Sequence, residues 1–571
     1  MATPPFDRAQ GAPSASRGAA PGSATPAGHA PNVTPAMRQY LDAKQQYRDA
    51  ILFFRMGDFY EMFYEDALVA ARALDLTLTS RSKDNQGTSI PMCGVPHHAA
   101  EAYLARLVKK GFRVAICDQV EDPKKAKGIV KREIVRVVSP GTLTDAQYLD
   151  ERAPAFLLSV FMGSPPGTAR GSDPVVGVAL LDLTTGEFSC AEYAGTAGLQ
   201  ALADEVSVLR PREIVAPIDL DLARVLTDGA AERLPVTRVE PWTFEHESAR
   251  RTLLDQFRTN GLEGFGLDSH ALATSAAGAL LHYLRDTQKA DLAHVRSVVY
   301  KTSADCLLVD AVTLKHLEVV ESMEGGREGT LLHELDRTVT AMAGRLLRAW
   351  LLRPLVSLDR IHDRLDAVEE FAFRSTDRGK FREVLKSVQD LERLVARAAL
   401  GNAGPRDLVG LKQSIAVVPR VRLVLDAFEA PLTRSLLSAL DELADVRDDI
   451  DRTLVDEPGA LVRDGGYIRD GLDAELDDLR RISRSGKQVI AELEEREKQR
   501  TGISSLKVRY NRVFGYYIEI SKSNLHAVPP DYHRKQTIAG GERFITPALK
   551  EYEEKVLGAD ERILEREIEL F

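Results

Sequence analysis

Between Thr501 and Leu549 the apolar pattern of this chain changes period twice. Upstream, Ile468, Leu472, Leu476, Leu479, Ile482, Val489, Ile490 and Leu493 recur at helical spacing, with Asp, Glu and Arg between them. A helix written this way packs along one face and is wetted on the others. Thr501-Gly502 stops it. Leu506 to Asn511 then alternates, and Tyr516 to Ser521 answers it across a turn holding Gly515. Glu542 to Thr546 supplies a third strand, since a period of two is the strand signal. Leu549 to Leu570 is helical again. Any fold for this chain must therefore carry a small sheet inserted into a helical region.

The rest of the chain divides by pattern. Residues 1–34 are rich in Ala, Pro, Gly and Ser and read as a disordered tail. Residues 35–150 read as a mixed α/β domain. Met37 to Tyr47 is a helix, Ile51 to Met56 a short buried strand, and Asp58 to Asp75 a helix with Asp58 as N-cap. Ile90 to His98 is punctuated by Pro and Gly and reads as a loop. Ala99 to Gly111 is helical, and Arg113 to Asp118 and Arg132 to Val138 are strand-like. A basic loop, Lys124 to Gly128, lies between those two strands. Residues 152–267 read as a second α/β domain. It has a hairpin (Val175 to Leu183, Glu187 to Ala191), a helix (Leu199 to Leu209) and a buried strand (Glu213 to Ala216). Residues 268–486 are helical, with Thr340 capping Ala341 to Leu352 and Pro354 ending it. The inserted sheet occupies 487–546, and 547–571 is a return helix.

Composition narrows the classes. At roughly 150 residues per domain, 571 residues suggest about four domains. The net charge is −10, whereas a protein that simply coats DNA is basic overall. Nucleic-acid contact therefore requires local clusters of cations. Cys93, Cys117, Cys190 and Cys306 form no CxxC pair, which argues against a disulfide framework or a zinc site and fits a reducing, cytosolic setting. There is no apolar run of about 18 residues for a membrane span and no secretory signal pattern.

Two constellations could carry chemistry. The first is Phe53 to Tyr64, where Phe59 and Glu61 stand two apart at the expected start of a helix. An aromatic pushed between base steps costs a few kcal/mol of unstacking. A mispaired site is cheaper to deform, so recognition can come from deformation energy without a base code. Glu61 beside phosphates makes sense if it accepts a hydrogen bond from a displaced base or holds a proton. The plainer readings are a core aromatic and a solvated first-turn acid. The second is the inserted sheet, with Lys507, Arg509 and Asn511 on one face. Arg512, Lys522, His533, Arg534 and Lys535 lie near its turns, with Tyr510 and Tyr532 interleaved. Such a surface suits phosphate contacts, which hold a duplex without reading it. Its plainer reading is the wet face of a half-buried sheet. Neither Gly379-Lys380 nor Gly486-Lys487 stands in a GxxxxGK[ST] loop. Asp182 and Glu187 could suggest a metal-dependent nuclease, but a third carboxylate is lacking.

These strings resemble the MutS family of bacterial mismatch-recognition proteins from about Thr34 to Phe571. The resemblance rests on Gly57-Asp58-Phe59-Tyr60-Glu61, Pro91 to His98, Val138-Ser139-Pro140-Gly141-Thr142 and Asp336-Arg337-Thr338-Val339-Thr340. It also rests on Arg345 to Leu351, Gly515-Tyr516-Tyr517-Ile518 and Lys550-Glu551-Tyr552-Glu553. It implies a mismatch-binding domain, a connector of RNase H-like fold, a helical core with levers, and a clamp inserted into that core. It assigns Phe59 as the stacking wedge and Glu61 as its hydrogen-bonding partner. It gives the clamp face and tip, with Lys507, Arg509, Asn511, Arg534 and Lys535, to the DNA backbone. The implied ligand is double-stranded DNA with mismatches or small loops. A homodimer closed around DNA, the partner MutL and a cytoplasmic, nucleoid-associated location are implied too. The family continues into a C-terminal ATPase domain that uses ATP and Mg²⁺. This sequence ends before it, so no cofactor, metal or catalytic residue is expected within these residues. At the clamp tip Ala539-Gly540-Gly541 stands where the family commonly has Asn at the position of Gly540.

Overall fold

The computed structural model describes residues 34–571 apart from 81–88, 122–127, 165–174, 227–233, 303–305, 512–514 and 539. The expected tail, the lysines of the basic loop, Arg512 and Ala539 lie outside the described residues. The chain forms two compact units. One comprises residues up to His97 together with Cys117–Ile134, and the other comprises the remainder.

In the smaller unit, helix α1 (Pro35–Gln46) is capped by Thr34, whose hydroxyl accepts from the Met37 amide at 3.4 Å. Its one fully buried residue, Tyr40, donates to the Phe63 carbonyl at 3.0 Å. The Asp66 carboxylate accepts from Lys44 at 2.8 Å and from the Leu52 amide at 3.0 Å, which ties α1, the first strand and the following helix together. The strands are β1 (Ile51–Met56), β2 (Phe59–Phe63), β3 (Met92–Pro96), β4 (Val114–Gln119) and β5 (Arg132–Val138), in the sheet order β3-β2-β1-β4-β5.

Two sequence expectations fail here. The residues after Gly57 do not begin a helix at Asp58. They form β2, and helix α2 (Tyr64–Leu74) starts only afterwards. Gly57, at φ +62°, makes the two-residue loop of a β1–β2 hairpin with Met56 opposite Phe59. Residues Pro91 to His98 are not a loop either, because Met92–Pro96 pairs along the whole of β2. The strand reading wins because β2 is covered on both edges, so its backbone groups are paired by neighbours and need no helix.

In the larger unit, helix α3 (Ala100–Lys109) is followed by a six-stranded sheet. Its strands are β6 (Phe156–Gly163), β7 (Val175–Asp182), β8 (Glu187–Ala194), β9 (Glu213–Pro217), β10 (Val236–Val239) and β11 (Val299–Tyr300), in the order β10-β9-β6-β7-β8-β11. Alternate residues serve two cores. Leu157, Ala179 and Leu181 face the helix Ala271–Gln288, while Leu158, Val178 and Leu180 face α4 (Gly195–Leu209). The first helix lies so close that a Cβ at Gly177 would fall 2.1 Å from the Leu272 carbonyl oxygen. This helix and β11 belong with the sheet, so the second α/β body does not close at residue 267. The helix is apolar nearly all round, so its sequence reads like the helical region that follows.

Helices then dominate. Thr340 caps Ala341–Leu352 as its sequence predicts, its hydroxyl accepting from the Ala343 amide at 3.2 Å. The long helix spans Ala474–Thr501, capped by Asp473 and ended by Gly502 at φ +70°. Ile468 and Leu472 therefore precede it, and Ile468 bridges to Leu454. Helix Pro547–Leu570 runs beside it, joined by Arg480–Glu567 at 2.5 Å and Arg566–Asp473 at 2.7 Å. At the far end of this pair stands a four-stranded sheet of β12 (Lys507–Asn511), β13 (Gly515–Ser521), β14 (His533–Ile538) and β15 (Gly541–Ile545), in the order β12-β13-β15-β14. The alternation predicts three of these strands but not β14. Among the described residues, no helix is long and apolar enough to cross a membrane.

Candidate nucleic-acid interface

The β1–β2 hairpin presents one aromatic ring to solvent. Phe59, the first residue of β2, is 45% exposed, while Tyr60, Met62 and Phe63 are buried. The loop before it is held at both residues. The Arg55 side chain donates to the Gly57 carbonyl, and the His97 amide donates to the Asp58 carbonyl at 2.8 Å. Beneath, the Tyr60 hydroxyl donates to Asp118 at 2.8 Å, and the Tyr60 ring meets that of His97 at 5.4 Å. A ring mounted this way has little freedom left to lose when it stacks.

Glu61 follows two residues on, on the same face of β2 as Phe59. It is 5% exposed, so the reading of a solvated first-turn acid is wrong on both counts. Gly94 of β3 stands directly opposite it. A Cβ at Gly94 would meet the Tyr60 carbonyl oxygen at 3.3 Å, Glu61 Cγ at 3.6 Å and Phe59 Cδ1 at 3.9 Å. The tight approach at Gly94 is therefore to the β2 backbone between Phe59 and Glu61, while both side chains lie at ordinary contact distance. Sequence reasoning passed over Gly94 and His97 because it treated their segment as a loop.

In the inserted sheet the register separates the expected cations. Lys507 lies opposite Glu519 and Arg509 opposite Tyr517, so all four share one face. Arg543, paired with Glu519 in register, stands on that face over the Tyr517 ring at 4.4 Å. The other face carries Ile518, Ile520 and Phe544 into the core with Leu493 and Leu549. Lys507 and Arg509 are exposed and, among the described residues, make no side-chain hydrogen bond or ion pair, although Glu494 lies near enough for the Lys507 charge to act on it. Asn511 ends β12 through backbone pairing with Gly515. Arg534 and Lys535 are not at a turn. They sit in β14, at the opposite edge, with Lys535 in a bulge. Arg534 lies across from Phe544, away from the face of Lys507, and meets Glu542 at 3.4 Å. The structure thus joins Lys507 with Arg509 and sets Arg534 and Lys535 apart as a second basic edge. At Gly540 a Cβ would meet nothing within 4 Å.

The nuclease alternative fails on Asp182. That side chain is buried, and its carboxylate accepts from the Ala155 amide at 2.8 Å, the Thr184 amide at 2.8 Å and the Thr184 hydroxyl at 2.7 Å. It caps a turn and has no open side for a metal. Among the described residues, no three His, Cys, Asp or Glu gather to hold one.

A mixed α/β body with an exposed aromatic, a second α/β body, and helices carrying a sheet with exposed cations define the class: a multidomain α/β and helical chain. Family models give it a place. Residues 34–147 match MutS domain I, 155–296 match MutS domain II and 312–571 match MutS domain III. The chain belongs to the MutS family. Proteins called DNA mismatch repair protein MutS resemble it along most of its length. That of Symbiobacterium thermophilum is 48% identical over 541 residues, covering 94% of this chain and 61% of the relative. That of Solibacter usitatus is 48% identical over 546 residues, with the same coverages of 94% and 61%. That of Myxococcus xanthus is 48% identical over 552 residues, covering 95% and 59%. The chain thus spans about three-fifths of the length of these relatives.

Proposed function

We propose that this chain recognises mispaired or looped-out bases in duplex DNA, with Phe59 entering the base stack and Glu61 accepting a hydrogen bond from the displaced base. The observation that carries this reading is the exposure of Phe59 on a hairpin whose other aromatics are buried. A ring this exposed at the tip of a hydrogen-bonded hairpin can stack on a base. Stacking on an aromatic is worth about 1–3 kcal/mol per base. Lys507 and Arg509 hold phosphates on one face of the sheet, Asn511 ends the strand that carries them, and Arg534 and Lys535 offer a second basic edge. In this reading the domains are a mismatch binder, an RNase H-like connector, a helical core with levers and an inserted clamp. A homodimer, recruitment of MutL and an ATP–Mg²⁺ switch belong to the same proposal at the level of the full-length relatives.

The test is fluorescence anisotropy of the chain on a G·T-mismatched duplex and its matched control at two salt concentrations. A tighter complex with the mismatch is expected, and equal affinity for both duplexes would count against the proposal. Lys507→Gln with Arg509→Gln should weaken binding to both duplexes alike and flatten the salt dependence by about two charges. A loss confined to the mismatched duplex would show that these residues do not hold phosphates. Gly94→Ala should lower the mismatch preference several-fold and leave matched binding unchanged, because its Cβ would press on the Tyr60 carbonyl at 3.3 Å and shift β2 between Phe59 and Glu61, at a cost of about 1 kcal/mol. An unchanged preference would mean that Gly94 does not set the ring's position.

A further inference from the structure

A cavity of about 690 Å³ lies between the six-stranded sheet and the helix Ala341–Leu352, far along the chain from both contact surfaces. Its volume falls within the range of small-molecule sites, roughly 300–1,000 Å³. The lining carries six cations, three acids and an apolar side that includes Met342 and Leu346.

Four of the cations are already engaged. Arg345 meets Asp390 and Glu392, each at 2.6 Å, and Lys301 faces Glu187 at 3.8 Å. Arg210 pairs with Glu321, and Arg353 pairs with Glu205. Of the acids, Asp182 is consumed by its turn. Two cations remain. Among the described residues, neither Arg212 nor Arg348 makes a side-chain hydrogen bond or ion pair. Burial pulls the Arg348 pKa below the usual guanidinium range, and the neighbouring Arg210 and Arg327 add to the pull against Asp150 and Glu321. A guanidinium drawn partly out of water with no carboxylate in hydrogen-bonding contact is costly, and a cavity lined by two arginines without such a contact suits a counter-charge.

We propose that this cavity binds an organic phosphate, with Arg212 and Arg348 holding the phosphate and the Met342–Leu346 side holding the apolar body. Guanidinium groups match phosphate oxygens in a bidentate fork. Two of them balance the charge of a phosphate monoester, about −1.5 to −2 at neutral pH. The site involves neither Phe59 nor the inserted sheet, so it stands or falls apart from DNA recognition.

The experiment is isothermal titration of the full 571-residue chain with AMP, ribose 5-phosphate and adenosine at physiological ionic strength. AMP should bind with one-to-one stoichiometry. Ribose 5-phosphate should compete with it, and adenosine should not. If ribose 5-phosphate matches AMP, the source is any phosphate monoester; if AMP is tighter, it is a nucleotide. Arg212→Gln with Arg348→Gln should weaken AMP by about ten- to a hundredfold, the scale of a lost charge-assisted hydrogen bond. The unfolding midpoint of that variant should stay at or above the parent's, because no ion pair is broken. Lys507→Gln with Arg509→Gln should leave AMP binding unchanged. Absence of AMP binding, adenosine binding as tightly as AMP, or full AMP affinity in the folded Arg212/Arg348 variant would each overturn the proposal.

Discussion

Phe59→Ala is expected to abolish the preference for mismatched over matched duplex while leaving most of the salt-sensitive affinity for either. The ring is 45% exposed and its neighbours hold the hairpin without it. The Gly57–Asp58 loop is fixed by Arg55 and by the His97 amide, and Tyr60 is fixed by Asp118. Truncation should therefore cost little stability, as surface substitutions do. What it removes is the stacking term, about 1–3 kcal/mol, against an unstacking cost that is smaller at a mispaired step. A preference of tenfold or more should fall close to one. The phosphate contacts do not involve Phe59, so the slope of affinity against salt should persist. The measurement is the anisotropy titration on both duplexes, with circular dichroism to show that the fold is kept. Retention of the full preference in the folded variant would rule out the wedge.

The parts of this molecule that the sequence discloses are those where one periodicity has no competitor. The stripe from Leu476 to Leu493 fits a helix only, and Lys507 to Asn511 alternates so strictly that a strand is forced. The hairpin is different. Phe59-Tyr60-Glu61-Met62-Phe63 is apolar or aromatic at four of its five positions, which suits a buried strand or a helix start equally. Pairing with β1 and β3 decides between them, and pairing is a tertiary fact. The strand β3 hides because Pro91, Gly94 and Pro96 look like turn residues. Pro96 closes the strand, and Gly94 sits where a Cβ would come within 3.3 Å of the Tyr60 carbonyl of the neighbouring strand. The strand β14 hides because His533-Arg534-Lys535-Gln536 has no apolar face, as an edge strand need not, and because the bulge at Lys535 breaks its alternation. Phe59 and Glu61 are legible as a pair worth attention. That one would be the exposed ring and the other a buried carboxylate is not legible, because burial depends on which strands lie alongside.

Glu213 shows the same limit on the side of stability, and its loss should have a large structural effect. The sequence offers it only as the first residue of a buried strand. The structure buries its carboxylate completely and surrounds it with donors. One oxygen accepts from the Thr237 hydroxyl at 2.6 Å and from the Tyr283 hydroxyl at 2.8 Å. The other accepts from the Gly141 amide at 3.1 Å and from the Ser139 hydroxyl. Burial and the adjacent Glu213 charge raise the Tyr283 pKa, so its hydroxyl keeps the proton it donates. One side chain thus fastens the Ser139–Thr142 turn, β9, β10 and the helix Ala271–Gln288 into a single body. Glu213→Ala would remove the shared acceptor of four buried donors, leaving the Gly141 amide and the Thr237 hydroxyl without one while Ser139 and Tyr283 keep only each other and Thr142, and breaking a buried charged network typically costs about 3–5 kcal/mol. Glu213→Gln should recover part of this, since it keeps one acceptor but turns an amide toward donors. In a chain of several domains a single unfolding free energy is poorly defined, so the readout is local. Amide hydrogen exchange at Gly141 and Thr142 should accelerate in Glu213→Ala by about two to four orders of magnitude, the rate equivalent of that loss if local opening controls exchange. Exchange in the inserted sheet should not change, because its core is built from Ile518, Ile520 and Phe544 with no part of this network. Unaltered protection at Gly141 would mean that the turn is held by the Ser139–Thr142 hydrogen bonds alone and that the buried carboxylate is not the fastening.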